Sequence, residues 1–311
     1  MKPSVDFRLH VDMAHLQSMQ GRARRISFLP GQPAKSILNG QHASKLKGRG
    51  LNFEELRHYA TGDDVRTIDW KVTARTNSPY VRVYTEERDR PVMLVVDQRM
   101  SMYFGSQLNM KSVTAAEAAA LAAFRVKAKG DRVGGIVFND TDMTEMRPKA
   151  SQRALNHFLS VVSTANCALA ADAPVVPPLP LNRPLEAAAR IAKTGELVMV
   201  FSDFNGMDDD TEKLLRNIAR RNDVILFTVT DPMSQQLPTN MEIVVSDGDL
   251  QAQIIAGDET VRNRLLAFSS GRLSRLLEFS KKCGIPVIPL SAAKETLPQL
   301  LSLLGGQRRP R

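Results

Sequence analysis

An aspartate, an arginine and two serines stand close together in the stretch VMLVVDQRMSMYFGS. Asp97 follows the apolar run VMLVV, and Arg99, Ser101 and Ser106 come just after it. A carboxylate with hydroxyls beyond it can hold a hard cation such as Mg²⁺, which prefers oxygen ligands. A guanidinium at the same place can instead pair with the carboxylate. The stretch therefore predicts a site that is filled either by a metal ion or by the chain's own Arg99.

The elements around this stretch predict the fold class. From residue 91 onward, apolar runs of strand length such as VMLVVD, RVGGIVFN, ELVMVFSD and DVILFTVTD alternate with helical patterns. This alternation predicts an α/β fold with a doubly wound, mostly parallel sheet. Ligands bind such sheets outside the carboxyl ends of the strands, where the strand order reverses. Asp97 and Asp203 both end apolar runs and are therefore the acids expected there.

The first 90 residues have a different character. Up to about residue 48 the sequence predicts a loosely organised arm, and NFEELRHYA predicts a short amphipathic helix that begins at Asn52. Gly62 breaks this pattern, and YVRVYTEE alternates as a half-exposed strand does. We therefore expect residues 1–90 to form an arm and a further segment packed on the core. Residues 91–311 are expected to form the α/β domain, including a C-terminal strand and helix.

Composition excludes several classes of protein. The chain has 43% hydrophobic and 24% charged residues, as globular proteins do, and its apolar runs are too short to span a membrane. Its two cysteines, Cys167 and Cys283, lack metal-ligand spacing and indicate reduced thiols in a cytoplasmic protein. The N-terminus has no apolar stretch of the kind that signal peptides carry. A nucleotide-binding Walker loop and a hydrolase elbow are also missing, so we expect neither an enzyme nor a cofactor.

Positive charge is concentrated near the N-terminus. The net charge is +9, and residues 20–52 contain seven basic residues and no acid. Such a stretch can contact nucleic acid, an anionic lipid or an acidic protein, or it can be solvated surface. Few aromatic residues accompany it, which disfavours a platform for stacking single-stranded nucleic acid. Nucleic-acid binding through this arm remains an alternative.

A longer part of the chain resembles a known family. The stretches GDDVRTIDW (residues 62–70, here called the signature segment) and TARTNSPYVRVYTEER, followed by VMLVVD and GDRVGGIVFN, resemble bacterial domain of unknown function family 58. The resemblance covers residues 45 to 230. It implies a von Willebrand factor A-like, Rossmann-like domain with an N-terminal extension. It also implies association with an AAA+ ATPase of the MoxR type, because these proteins are often encoded beside one.

The same resemblance assigns roles at the strand ends. In the metal-ion-dependent adhesion site of von Willebrand factor A domains, two acids, two hydroxyls and a threonine surround the cation. Asp97, Ser101 and Asp203 match this pattern and would be the ligands if a metal binds. Arg99 replaces the first hydroxyl, and Arg183 falls at the threonine position. At about 4 Å, a guanidinium and a divalent ion repel by roughly 8 kcal/mol at an effective dielectric of about 20. We therefore predict a degenerate site that holds no metal.

The acids of the signature segment allow two interpretations. Asp63, Asp64 and Asp69 could form an acidic metal cluster. Alternatively, they cap turns and helices near Gly62 and pair with Arg66 or Arg75, while Trp70 packs on the core. The second interpretation is favoured, and the segment is expected to brace the arm against the sheet.

These observations favour a non-enzymatic protein-interaction module. Its partner crevice would comprise Asp97, Arg99, Ser101, Arg183 and Asp203, and the partner would be the MoxR-type ATPase. A metal-dependent enzyme that uses Asp97 and Asp203 with the signature acids is the alternative.

Overall fold

A computed structural model describes most of the chain. It describes residues 6–26, 51–86, 90–174, 176–234, 242–246, 251–255 and 259–304. The chain divides into two compact units, of which the smaller is Ala34–Asp89 and the larger comprises Met1–Pro33 and Arg90–Arg311.

Within these residues the helices are α1 (Met13–Ser18), α2 (Gln20–Ala23), α3 (Trp70–Thr76), α4 (Lys111–Ala128), α5 (Gln152–Cys167), α6 (Asn182–Ile191), α7 (Asp209–Ala219), α8 (Glu259–Cys283) and α9 (Thr296–Leu304). The strands are β1 (Leu51–His58), β2 (Tyr80–Glu86), β3 (Pro91–Asp97), β4 (Arg132–Phe138), β5 (Met143–Lys149), β6 (Leu197–Ser202), β7 (Asp223–Thr230), β8 (Glu242–Ser246), β9 (Gln251–Ile255) and β10 (Val287–Ser291). None of the described helices combines the length and the apolar composition that crossing a membrane requires.

A six-stranded sheet forms the centre of the larger unit. Its strand order is β10-β7-β6-β3-β4-β5, and all neighbours are parallel except the edge strand β5. The chain builds outward from β3 to β4 and β5, then returns to the other side of β3 for β6, β7 and β10. This is the strand order of the Rossmann-like type, and it confirms the predicted doubly wound α/β fold. The strands β8 and β9 form a separate two-stranded antiparallel sheet.

Helices cover both faces of this sheet because its central strands are apolar on both sides. Successive side chains of a strand point to opposite faces. Met93 and Val95 of β3 therefore share a core cluster with residues of α6, α7 and α8. The helices α4, α5 and α9 cover the opposite face. The alanine-rich helix α4 is buried along most of its length, since small side chains let it approach the sheet closely.

The N-terminal helices belong to the larger unit. Helix α1 contacts α4 and α5, and α2 contacts α4. Two contacts hold this segment against α4 and α5. The backbone N–H of Val11 donates to Asn166 Oδ1 at 2.7 Å, and His15 Nε2 lies 2.7 Å from Glu117 Oε1. The basic arm beyond residue 26 lies mostly outside the described residues, and its binding to nucleic acid stays a prediction.

The smaller unit corrects one prediction from the sequence. The sequence predicts a helix over residues 52–60 that begins at Asn52, but residues up to His58 belong to β1, which pairs antiparallel with β2. A short amphipathic pattern is weak when a neighbouring strand can satisfy its backbone, because pairing overrides local propensity. The proposal that this region packs on the core and braces the arm stays a prediction.

Close packing between β4 and α5 gives a test of the core. A Cβ added at Gly135 would lie 2.5 Å from a ring carbon of Phe158, whose side chain is buried. We expect Gly135→Ala to lower the free energy of unfolding by about 1–3 kcal/mol, as overpacked cores do. Gly271→Ala in α8 meets no atom within 4 Å and should be neutral or stabilising by up to about 1 kcal/mol. Denaturant titrations measure both, and equal effects would contradict the packing described.

Candidate functional site

The two strand-end acids lie side by side. Asp97 ends β3, and Asp203 directly follows β6, which is the parallel neighbour of β3. The strand order reverses between these two strands, so both acids stand at the topological switch point of the sheet. Both acids thus lie at the strand ends where the sequence predicts them.

Arg99 neutralises Asp97 in a buried ion pair. Its Nε donates to Asp97 Oδ1 at 3.0 Å, and its Nη2 donates to Asp97 Oδ2 at 2.7 Å. The backbone N–H of Arg99 and the hydroxyl of Ser202 also donate to this carboxylate, at 3.0 and 2.6 Å. Asp97 is 0% exposed and Arg99 is 3% exposed. Such a two-pronged contact is the strongest form of an arginine–carboxylate pair.

Two further hydrogen bonds connect the Arg99 guanidinium to backbone carbonyls. Nη1 donates to the carbonyl of Leu179 at 3.2 Å, and Nη2 donates to the carbonyl of Asn205 at 3.0 Å. The guanidinium carbon lies 5.4 Å from the centre of the Phe138 ring. Burial opposes the charge, but the carboxylates of Asp97, Asp203 and Asp140 together outweigh it, so the pKa of Arg99 lies above its ordinary value. The guanidinium is therefore permanently charged and held entirely by the chain itself.

A second cation neutralises Asp203. Lys111 Nζ donates to Asp203 Oδ2 at 2.6 Å, and Arg272 Nη1 lies 3.5 Å from the same oxygen. The backbone N–H of Asn205 donates to Oδ1 at 2.9 Å. Burial by itself would raise the pKa of Asp203, but Lys111 and Arg272 together outweigh it and lower the pKa.

The other predicted site residues are not joined to these pairs by side-chain contacts. Ser101 Oγ is buried and has no hydrogen-bond partner among the described residues. Ser106 instead fixes its loop to the end of β7, because its hydroxyl donates to Asp231 Oδ1 at 2.6 Å. Arg183 lies in the first turn of α6, and no ion pair connects it to Asp97 or Asp203 in the described part of the chain. The loop before α6 reaches Arg99 through the carbonyl of Leu179 and not through Arg183.

Sequence reasoning missed Lys111, Ser202 and Arg272. One signal for Lys111 was available, since it is the first residue of α4. A cation in the first turn opposes the helix dipole, so it indicates an acid close by. The contacts of Arg272 and of the Leu179 carbonyl depend on tertiary packing and left no local pattern.

The first two acids of the signature segment shape a turn. Asp63 forms a two-pronged ion pair with Arg57, with both N–O distances at 2.7 Å, and it follows Gly62, whose φ is +105°. This pair lowers the pKa of Asp63 to about 2. Asp64 Oδ1 accepts from the backbone N–H of Arg66 at 3.0 Å and caps a single 3₁₀ turn.

The third acid caps a helix. Asp69 accepts from the backbone N–H groups of Lys71 and Val72, at 3.0 and 3.2 Å, at the start of α3. Trp70 is 68% exposed, so the smaller unit itself does not bury it, and its packing on the core stays a prediction. Trp70 is the first residue of α3 and lies on the side of this helix that faces away from β2. Among the described residues, no group of three or more His, Cys, Asp or Glu side chains is arranged to hold a metal ion.

The fold and the site define a Rossmann-like α/β domain with its strand-end acids neutralised by built-in cations. Residues 55–269, more than half of the chain, match the family described as "Protein of unknown function DUF58", so the chain belongs to this family. Uncharacterized proteins of Mycobacterium tuberculosis (strain H37Rv) and Mycobacterium bovis are each 27% identical over 287 residues, which covers 92% of this chain and 89% of theirs.

Two solved structures are also similar. An aerotolerance-related membrane protein of Bacteroides fragilis has a TM-score of 0.43 and 14% identity, and covers 70% of this chain and 98% of its own. The conserved hypothetical protein BatB of Bacteroides thetaiotaomicron has a TM-score of 0.42 and 13% identity, and covers 69% and 98%.

The buried ion pair gives a stability prediction. Asp97→Asn or Arg99→Met alone leaves a buried group without its partner and should cost about 3–5 kcal/mol. The double variant should lose less than the sum of the two, because neither charge is then stranded. The ion pair between Lys213 and Asp210, both 70% exposed, is the control and should show no measurable coupling. Additive effects at Asp97 and Arg99 in denaturant titrations would contradict the pairing.

The lowered pKa of Asp203 gives a pH prediction. Its folded pKa lies below the ordinary 3.8, so the carboxylate stabilises the fold above about pH 4, and this contribution disappears as the pH falls through the folded pKa. The stability advantage of the wild type over Asp203→Asn should be constant from about pH 7 to 5 and shrink below about pH 4. Urea titrations at each pH measure it, with Asp210→Asn as the exposed control. An advantage that grows on acidification would exclude the Lys111 pairing.

Proposed function

We propose that this chain is a non-enzymatic protein-interaction module whose docking face is the carboxyl edge of the sheet. We further propose that its partner is an AAA+ ATPase of the MoxR type, on the basis of the family resemblance. In this proposal the chain acts in the cytoplasm as an adaptor, and the face works without a bound metal ion.

One observation supports this function above the others: each strand-end acid already has its own cation. Asp97 is paired with Arg99, and Asp203 with Lys111. Arginine does not lose its proton in proteins, so a divalent ion entering here would face a fixed positive charge. A face that relies on internal ion pairs keeps its shape in the absence of metal, which suits a constitutive docking surface.

The Asp97–Arg99 pair lies beneath the proposed docking face and does not contact the partner itself. Because Arg99 is 3% exposed and each of its three guanidinium nitrogens already donates a hydrogen bond within the chain, it is not presented to a partner carboxylate. The reachable groups lie on the loop that follows it. Met100 and Phe104 are 36% and 37% exposed, and large apolar side chains of this kind anchor protein interfaces.

The contacts of the signature acids support a non-enzymatic function. The carboxylates of Asp63, Asp64 and Asp69 accept hydrogen bonds from nearby groups at a turn, a 3₁₀ turn and a helix start. Carboxylates in such roles stabilise local backbone and are not free to activate water or hold a catalytic metal.

Direct binding to the MoxR-type ATPase tests the proposal. The wild type should bind the purified ATPase in at least one nucleotide state, and EDTA should leave the affinity measured without nucleotide unchanged. Phe104→Ser should weaken binding by at least about fivefold, as truncated interface anchors do. Leu277→Ser, which alters a similarly exposed residue on α8, is the matched control and should bind as the wild type does.

Two results would count against this function. Absence of binding with ATP, ADP and no nucleotide would remove the ATPase as partner. Binding that requires Mg²⁺ in the absence of nucleotide, and that is lost with Asp97→Asn, would show that the acids act through a metal.

A further inference from the structure

Helix α3 in the smaller unit has one fully exposed side. Successive residues of a helix are about 100° apart, so Trp70, Lys71, Ala74 and Arg75 fall within an arc of about 140°. All four are exposed. The opposite side faces β2, where Thr73 Oγ1 accepts from the backbone N–H of Tyr80 at 3.1 Å. The exposed side, together with the preceding Val65 and Arg66, is here called the Trp70 face.

The Trp70 face exposes two large apolar side chains to solvent. Trp70 is 68% exposed and Val65 is 59% exposed. Among the residues of this unit whose side chains are described, only Asp69 and Val81 are buried. Two-stranded sheets are marginal in isolation, and contiguous exposed apolar groups generally mark binding sites. Trp is also the residue type most often found at the energetic centre of protein interfaces.

The charge around this apolar centre indicates which kind of surface fits it. The side chains of Arg66, Lys71 and Arg75 are exposed and form no ion pair or hydrogen bond within the described part of the chain. The nearby acids do not balance them, since Asp63 is held by Arg57 and Asp69 is buried as the helix cap. Among the acids of this unit whose side chains are described, only Asp64 is exposed, against three cations.

We propose that the Trp70 face is a second docking surface, which inserts Trp70 into an apolar groove rimmed by carboxylates on a protein partner. The three cations pair with the rim and Val65 extends the apolar contact. A single aromatic favours a protein over single-stranded nucleic acid, which is bound by several stacked aromatics. A seven-residue helix is also shorter than those that lie in membrane surfaces. This inference does not depend on the function proposed for the carboxyl edge.

The chain offers a direct reporter, because Trp70 is its single tryptophan. In the full-length protein, Trp70 emission should be typical of a water-exposed indole and should not change on dilution. A designed amphipathic helical peptide of leucine and glutamate should shift the emission to shorter wavelength and protect it from acrylamide. A peptide with lysine in place of every glutamate should do neither. Oligothymidine and anionic phospholipid vesicles should also have no effect.

Variants identify the residues responsible, with binding measured by anisotropy of a labelled acidic peptide. Trp70→Ala should weaken binding at least about 30-fold, as hot-spot truncations do. Lys71→Ala and Arg75→Ala should each weaken it about two- to fivefold. Arg153→Ala, which removes an exposed arginine from α5, is the matched control and should have no effect; circular dichroism checks that each variant is folded.

Four results would overturn the inference. They are equal response to the acidic and basic peptides, response only to oligothymidine or vesicles, no response to any probe, and emission of the free chain that is already shielded. The last result would show that the chain itself or a second copy covers Trp70. None of these results would alter the outcome of the ATPase experiment with Phe104→Ser.

Discussion

The buried ion pair between Asp97 and Arg99 is the interaction on which the carboxyl edge depends. A buried charge is stable only when it is paired and hydrogen-bonded, and here the chain supplies a carboxylate and two carbonyls to Arg99. Arg99 joins the end of β3 to the carbonyls of Leu179 and Asn205, which belong to the loops before α6 and after β6. Breaking the pair would therefore release both loops and leave two buried charges without their partners.

The loop after β6 is shaped to serve this pair. Phe204 is buried and has a φ of 56°, a left-handed conformation that is uncommon for a bulky residue. The turn directs the N–H of Asn205 to Asp203 and its carbonyl to Arg99. Backbone strain of this kind persists only where the surroundings fix it, and it is concentrated at functional sites. The two ion pairs and the strained turn thus form one connected unit at the carboxyl edge of the sheet.

The sequence predicted the positions of the acids but only part of their surroundings. The strand-end rule places Asp97 and Asp203 because it follows from the parallel order of the strands, which the apolar runs reveal. Lys111 left a signal as a cation at a helix start, whereas the carbonyls of Leu179 and Asn205 left none. Backbone groups carry no residue identity, so a site completed by carbonyls cannot be read from residue types.

The smaller unit was harder to predict for a related reason. The helix predicted from Asn52 and the core position predicted for Trp70 both rested on short local patterns, and pairing of β1 with β2 decided the first. Trp70 was predicted to pack on the core as part of the signature segment, yet the smaller unit itself has little interior to receive it. Burial of Trp70 against a partner would account for its exposure in the free chain.

A crystal structure of the protein grown in Mn²⁺ would test the central claim most directly. The built-in cations predict no anomalous peak beside Ser101, with Arg99 still paired to Asp97 and Lys111 to Asp203. A manganese ion coordinated by Ser101 and the two strand-end acids, with Arg99 displaced, would contradict the account.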